Sequence, residues 1–456
     1  MSGDLGVLLG LVLIIALAMR GVNMLVASLL AASMVALTNG QPLFQAIYVD
    51  YATGMMSIAG KYLLLFLAGA VFGRVIEEGH AATKIALVLT EWLGKERVLW
   101  VTMLATTLLT YGGVGVFVIV FTIYPLCLGM MRRTNLPKRL FLGALLLGPG
   151  TFVTTALPGS PSVHNNLSAT ALGTGLSAGW GLGLFASAIM ATLGMLYLEW
   201  ARKRAIARGE GFDPSAEEAK SADVPPVDAL PSAPRAFAPP LVVMAFILCP
   251  QVAARLLDAG EAAQGAVARL LRFTAQQPLA WTCVAMFAGS LAGLVLYRKL
   301  LTSPLSTLSR GAERCPLPLF NWAAVIGFGA VVKSTHVFQQ FADTLIHADI
   351  NPLVSMVVAT NVFAGVVGSA SGGLALFYDT LWPLYGDTGI PNTVVHRLVT
   401  IASGGLDSLP HSGALITTMT VMHLTHRQGY GMAFVITVVI PLTALVAVTA
   451  LALLLY

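Results

Sequence analysis

Two short stretches of this 456-residue chain carry side chains that can do chemistry, although their surroundings are almost wholly apolar. The first runs Thr154-Thr155-Ala156-Leu157-Pro158-Gly159-Ser160 and continues through Ser162, His164, Asn165 and Asn166. The second runs Leu406-Asp407-Ser408-Leu409-Pro410-His411-Ser412. Hydroxyl and carboxamide groups can donate to a carboxylate or to a substrate hydroxyl. Asp407 can carry a proton or accept from such a hydroxyl, and His411, an imidazole that ordinarily titrates at about pH 6.5, can titrate or donate to an anion. The first stretch also reads as an ordinary water-exposed loop, and Asp407 as a cap on a half-helix. Capping and proton handling are compatible roles for one carboxylate. An ionisable group at membrane depth is costly, which makes it a functional candidate by default. Asp407 and His411 are four apart, one turn of a continuous helix, but Pro410 favours a broken turn.

A third polar stretch is Gly368-Ser369-Ala370-Ser371-Gly372-Gly373. It resembles a phosphate-cradling loop in composition only, because it lacks the Lys-Ser/Thr ending. Its backbone amides still suit an anion at the start of a half-helix, and its small residues equally suit close helix packing. Asp379 follows in the same segment, placed to pair with a base or to sit near an interface. Lys333, His336, Glu77, Glu78, His396 and His423 lie near the ends of apolar segments and read as solvated or snorkelling side chains. Thr360-Asn361 reads as a helix–helix hydrogen bond.

The elements that must position these groups follow from composition. Hydrophobic residues make up 57% of the chain and charged residues 10%, which excludes an ordinary soluble domain. Mean hydropathy is +0.81. Apolar runs of about 20 residues, enough to cross a hydrocarbon core, recur throughout and are too long and unpunctuated for barrel strands. The expected spans of the first half are 5–19, 22–38, 61–77, 98–111, 114–131, 140–153 and 177–199. Those of the second are 239–257, 279–297, 319–333, 352–367, 373–385, 394–403 and 430–455. Segments 41–58 and 262–273 are amphipathic and suit the membrane interface. The first apolar run is followed, not preceded, by Arg20, so it reads as a retained span with its N-terminus outside. Cys127, Cys249, Cys283 and Cys315 lack metal or redox spacing and read as packing residues.

The net charge of +5 comes from bases near segment ends, such as Arg132, Arg133, Lys138 and Arg139, which suits orientation signals better than nucleic acid. Residues 201–238 alternate charges with Pro, Ala and Ser and form a linker between a first unit, 1–200, and a second, 239–456. Arg202, Lys203, Arg204 and Arg208 at its start place it in the cytoplasm. The two units repeat one order: a Gly-rich break, a span ending aromatic-Pro, a short loop, a span, then Leu-Pro-x-Ser. The first loop, 132–139, holds four bases and no acid, whereas 384–393 holds only Asp387. Loops of opposite character place the repeats in opposite orientation, as paired broken helices in secondary transporters require. The segment between 140–153 and 177–199 is then expected to dip into the membrane as a hairpin.

The stretch Thr400 to Tyr430, with its Ser-Gly-Gly-Leu-Asp-Ser-Leu-Pro-His-Ser-Gly-Ala core and Leu424-Thr425-His426-Arg427-Gln428 ending, resembles the gluconate permease (GntP-type) family of the ion transporter superfamily. Thr151 to Asn165 and Gly368 to Gly373 are similar to the corresponding family motifs. The spelling is most similar to members described as D-beta-hydroxybutyrate permeases. Val163-His164-Asn165-Asn166 and Phe377-Tyr378-Asp379 depart from the family spelling. The resemblance implies an all-α polytopic membrane protein of about 12 spans, with two inverted repeats each carrying a re-entrant hairpin. It implies proton symport of a small hydroxycarboxylate, gluconate-like or 3-hydroxybutyrate-like. The substrate residues it implies, joined to those read above, are Thr154, Thr155, Ser160, His164, Asn165, Ser369, Ser371, Gly372, Ser408, His411 and Ser412, with Asp407 and His411 coupling the proton.

The half-helix dipoles carry weight in this reading, because the site looks poor in fixed positive charge. Sodium coupling is an alternative, as is an intramembrane hydrolase using Ser369, Ser371 or Ser412, although no Gly-x-Ser-x-Gly elbow surrounds these serines. A channel fits paired breaks less well than alternating access does. No cofactor or metal is expected. The expected partners are a small organic anion and the lipid bilayer of the cell (inner) membrane, with a homodimer allowed and nucleic acid excluded.

Overall fold

The computed structural model describes every residue except 1–2, 21, 214–229, 257–264, 348–349 and 386–387. Most of the expected linker, the beginning of segment 262–273 and Asp387 therefore lie outside the described residues, as does the Cys127 side chain. Among the described residues the chain is helix and connecting turn, with no strand. Among the described residues six helices are long and apolar enough to cross a membrane: Gln45–Glu78, Trp180–Ala207, Ala233–Ala254, Pro278–Leu296, Pro304–Lys333 and His426–Leu455. Leu5–Leu17, Met24–Thr38, Val98–Tyr111 and Pro352–Val367 are shorter apolar helices.

Segment 41–58 does not form a separate interfacial piece. A wide-turn helix over Gln45–Tyr51 runs directly into Ala52–Glu78, giving one helix of 34 residues. The reason is its partner. Tyr51 lies against Gly327, Gly54 faces Ala330, and Tyr62 meets Trp322 edge-on at 5.3 Å. The pairs 51 with 327 and 62 with 322 show that the two central helices run antiparallel. Glu77 and Glu78, at the end of the first, are not simply solvated. Arg74 and Arg310 bind Glu78 at 2.5 and 2.8 Å, Arg314 binds Glu77 at 2.5 Å, and the Thr307 hydroxyl donates to Glu78.

Each central helix is covered by a helix pair from the other half. Met24–Thr38 packs on Pro316–Lys333 and is backed by Gly3–Met19, with a shared core of Ile14, Ala31, Val35, Ala324, Phe328 and Val331. Pro278–Leu296 packs on Ala52–Glu78 and is backed by Ala233–Leu256, so that Gly289 sits between Val243 and Phe72. The two halves are thus interlocked through exchanged helix pairs.

Beyond the central helices the two halves follow one order. In the first, Val98–Tyr111 and Val116–Thr134 flank Gly112–Gly115, and Lys138–Leu147 leads to the break before Val163–Leu172. In the second, Pro352–Val367 and Ala370–Thr380 flank Gly368-Ser369, and Asn392–Ser403 leads to the break before Gly413–Val421. Across the first break the short turn Val153–Thr155 packs on Val163–Leu172, whereas Asn392–Ser403 and Gly413–Val421 do not pack along one another. Tight reversals occur at the Gly-rich turns. Pro352–Val367 and Ala370–Thr380 pack along each other so closely that a Cβ on Gly373 would stand 2.3 Å from the Ala364 backbone.

Gly373→Ala therefore forces the hairpin arms apart, an overpacking cost of about 1–3 kcal/mol. Gly60, with nothing within 4 Å of its Cβ position, is the control. Thermal unfolding of the purified protein is expected to show a lowered midpoint for Gly373→Ala and none for Gly60→Ala.

Candidate functional site

The first break begins with a disturbed helix. Gly148–Phe152 forms a wide turn in which Thr151 departs from helical geometry (φ −141°, ψ −107°), followed by one turn of helix over Val153–Thr155. The Thr154 and Thr155 hydroxyls donate to the Thr151 carbonyl at 3.1 and 2.9 Å. Ser162 caps the next helix, accepting from the Asn165 N–H at 3.2 Å and donating to the Thr154 carbonyl at 2.7 Å. Gly159, at φ +81°, makes the corner.

In the second break, 404–412, Ser408 donates to Asp407 at 3.0 Å and His411 donates from Nε2 to the Val366 carbonyl at 3.3 Å. The broken turn expected at Pro410 is present. In each half the proline carbonyl freed by the break is paired: Tyr111 donates to Pro158 at 2.8 Å, and His426 Nε2 to Pro410 at 2.9 Å. Tyr111 and Val366 belong to hairpin arms, so each hairpin tip is docked on the break of its own half. Gly368 takes φ +65°, and a Cβ there would lie 2.7 Å from the His411 ring. The starts of helices Ala370–Thr380 and Gly413–Val421 therefore adjoin at Gly368, His411 and Ser412.

The two breaks meet where Thr155 lies against Gly404, and the joint is held by residues of Asn392–Ser403. Arg397, fully buried, donates to the carbonyls of Ala156 (3.1 Å), Leu176 (3.1 Å) and Ala178 (2.8 Å). Gly179 and Gly183 leave room for its side chain. His396, also fully buried, accepts from Thr174 at 2.6 Å and donates to Asn165 Oδ1 at 2.8 Å. Asn165 in turn donates to the carbonyls of Ser160 and Leu176 at 2.9 and 2.8 Å. A further chain runs from Tyr378 to Ser168 (2.9 Å), then to Thr400 (2.6 Å) and on to the His396 carbonyl (2.5 Å).

His396 is thus not a solvated end residue, and a fixed cation lies within the joint. Arg397 escaped the sequence reading. The available signal was a second base, Arg397, directly beside His396 within the expected span 394–403.

Most polar groups here are spent on the protein itself. Asn165 commits both amide hydrogens and its carbonyl, so in this conformation it holds the break together. Ser369 caps the Gly372 N–H at 3.3 Å and lies 3.4 Å from the Ser371 hydroxyl. Among the described residues eight buried side-chain polar atoms have no protein partner, and three of them lie on or against the polar stretches of the breaks: Ser160 Oγ, His164 Nδ1 and Asn361 Oδ1. Thr360 bonds back within its own helix, and the Asn361 amide crowds Gly405 in the second break, so this pair makes no simple helix–helix bond. Ser412, at the start of Gly413–Val421, makes no side-chain cap and leaves first-turn amides uncapped. Lys333 pairs with Asp379, bonding its carbonyl at 2.8 Å. Among the described residues no three His, Cys, Asp or Glu side chains cluster as metal ligands.

The family described as GntP family permease matches residues 5–405. An uncharacterized transporter of Bacillus subtilis (strain 168), YxjC, is 33% identical over 455 residues, covering 95% of each chain. An uncharacterized transporter of Haemophilus influenzae is 38% identical over 95 residues, 21% of this chain and 22% of that one. The crystal structure of the Alcanivorax borkumensis YdaH transporter, a protein with an unusual topology, superposes with a TM-score of 0.60 over 90% of this chain and 88% of that one. At 13% identity this last likeness concerns the fold alone. These relatives exclude the hydrolase alternative: the chain belongs to the GntP permease family and is a membrane transporter, not an enzyme.

Proposed function

We propose that this permease is a secondary symporter that takes up a small hydroxycarboxylate, gluconate-like or 3-hydroxybutyrate-like, with one or more protons across the inner membrane. The observation that carries the proposal is that three buried polar atoms without protein partners lie on or against the two breaks: Ser160 and His164 on the first, Asn361 beside Gly405 of the second. An unpaired buried polar group costs about 1–3 kcal/mol, and a polar ligand offsets that cost. The uncapped first turn of Gly413–Val421, adjoining the start of Ala370–Thr380, suits the carboxylate. The Ser160 hydroxyl and Asn361 carboxamide suit the substrate hydroxyl.

Asp407 is the proton carrier in this account. It is half-buried, accepts from the neighbouring Ser408 hydroxyl, and among the described residues no basic side chain pairs with it. Such a carboxyl can alternate between charged and neutral forms as occupancy changes, and His411 of the same break is docked on the hairpin tip. The antiparallel central helices and the matched order of elements support two inverted repeats, 1–200 and 239–456. On that reading the basic loop 132–139 and linker 201–238 are cytoplasmic.

In proteoliposomes, Asp407→Asn is expected to reduce uptake driven by a pH gradient to background while the protein keeps its unfolding midpoint; full transport by the variant contradicts the role. The wild type is expected to accumulate acid in sodium-free buffer, and a strict sodium requirement would assign the coupling ion to sodium. Ser160→Ala is expected to weaken acid binding about tenfold, the loss of one hydrogen bond, while raising the unliganded midpoint because an unpaired buried hydroxyl is removed. Titration of a panel of small hydroxy acids against the midpoint reads both effects and identifies the substrate.

A further inference from the structure

Arg397 puts a permanent positive charge at the joint of the two breaks. Its fully buried guanidinium spends its hydrogens on carbonyls: Nη1 on Ala156, Nη2 on Leu176, and Nε and Nη2 on Ala178. Among the described residues no carboxylate pairs with it. Carbonyl dipoles stabilise a guanidinium without removing its charge, so one positive unit stays in an apolar interior, where an unbalanced charge is costly.

The same side chain fixes the first break. The Leu176 carbonyl accepts from the Gly159 N–H at 3.0 Å, from Asn165 at 2.8 Å and from Arg397 at 3.1 Å, which ties the residue before Ser160 to the clamp. The path from this cation to the carboxyl of the second break is short. Ala156 follows Thr155, Thr155 lies against Gly404, and Asp407 is three residues further on. Gly405 and Leu406 of that break pack on Pro352–Val367 and Ile440–Leu455, two helices that contain no charged or imidazole side chain. The other titratable groups beside the joint are the imidazoles of His164, His396 and His411 and the phenols of Tyr111 and Tyr378. Asp379, on the exposed side of its helix, pairs with Lys333.

We infer that Arg397 sets the charge of the transport site without touching the ligand, and so makes the binding of acid and proton depend on one another. The inference rests on the symport reading above. In the empty site ionised Asp407 balances Arg397. When the acid binds, its carboxylate takes over that balance and Asp407 accepts a proton from water. Two anions at once would leave a net negative charge in the apolar interior, so a monovalent acid enters with one proton. A neutral ligand of the same shape disturbs no balance and needs no proton.

The test titrates 3-hydroxybutyrate and gluconate, each beside its neutral amide, calorimetrically against the full-length protein in phosphatidylcholine nanodiscs between about pH 6 and pH 9. The wild type is expected to bind acid more tightly as pH falls and to bind the amide equally at every pH. Asp407→Asn, which leaves Arg397 unbalanced, is expected to bind acid about tenfold more tightly at the highest pH and to lose the pH dependence. Arg397→Gln is expected to lose about tenfold in acid affinity and nothing in amide affinity, a split that a merely structural loss would not produce. Arg397→Lys keeps the charge but not the fork, so its acid affinity stays within about twofold while its unfolding midpoint falls. A wild type that binds neither acid contradicts the hydroxycarboxylate reading itself, and this inference with it. With acid binding present, the role of Arg397 alone is overturned if Arg397→Gln weakens acid and amide equally or weakens neither, or if Arg397→Lys loses acid affinity but not amide affinity. Persistent pH dependence in Asp407→Asn also overturns it, because the proton then belongs to an imidazole. If Arg397→Gln shows no cooperative unfolding transition, Asp407→Asn and Arg397→Lys decide on the same terms.

Discussion

Breaking a helix inside an apolar environment frees backbone carbonyls and amides, and each must find a partner within the protein. Much of this structure follows from that requirement. The first break and the turn after Val163–Leu172 are supplied by Arg397, which serves the carbonyls of Ala156, Leu176 and Ala178, and by Asn165, which serves Ser160 and shares Leu176. The proline carbonyls take Tyr111 and His426. Because Arg397 and His396 come from the second half and the carbonyls from the first, satisfying the backbone also joins the halves. Hydrogen bonds from a charged donor contribute about 1.5–3 kcal/mol each, so this joint is among the firmest polar features of the site. Arg397 needs no carboxylate partner, since the negative ends of carbonyl dipoles converge on it.

The same accounting explains where the site is open. Once the joint is complete, Ser160, His164 and Asn361 remain unpaired, and the first turn of Gly413–Val421 remains uncapped. The asymmetry between the breaks follows. The first is largely consumed by structure, with Thr154, Thr155 and Ser162 bonded back to the chain, whereas the second keeps a carboxyl held by one neighbouring hydroxyl.

The membrane class, the helical fold and the positions of both breaks were legible in the sequence, because Pro, Gly and polar residues stand out against apolar runs. The tight reversals at the Gly-rich turns were not. Whether a break reverses the chain depends on how closely its arms pack, and that is decided by Gly373 over Ala364, a contact between residues nine apart. The length of Gln45–Glu78 was hidden for a related reason: Gly54 and Tyr51 look interfacial until Gly327 and Ala330 are placed beside them. Arg397 was hidden because its partners are carbonyls, which leave no mark in a sequence.

The central claim is that the two breaks form one substrate site. Cysteines introduced singly at Ser160 and at Ser408, with Cys127, Cys249, Cys283 and Cys315 replaced by alanine, report on it through their rate of labelling by a membrane-permeant thiol reagent. The account predicts that the transported acid slows labelling at both positions over the same concentration range. Protection at only one of them, or at the two over different ranges, would contradict it.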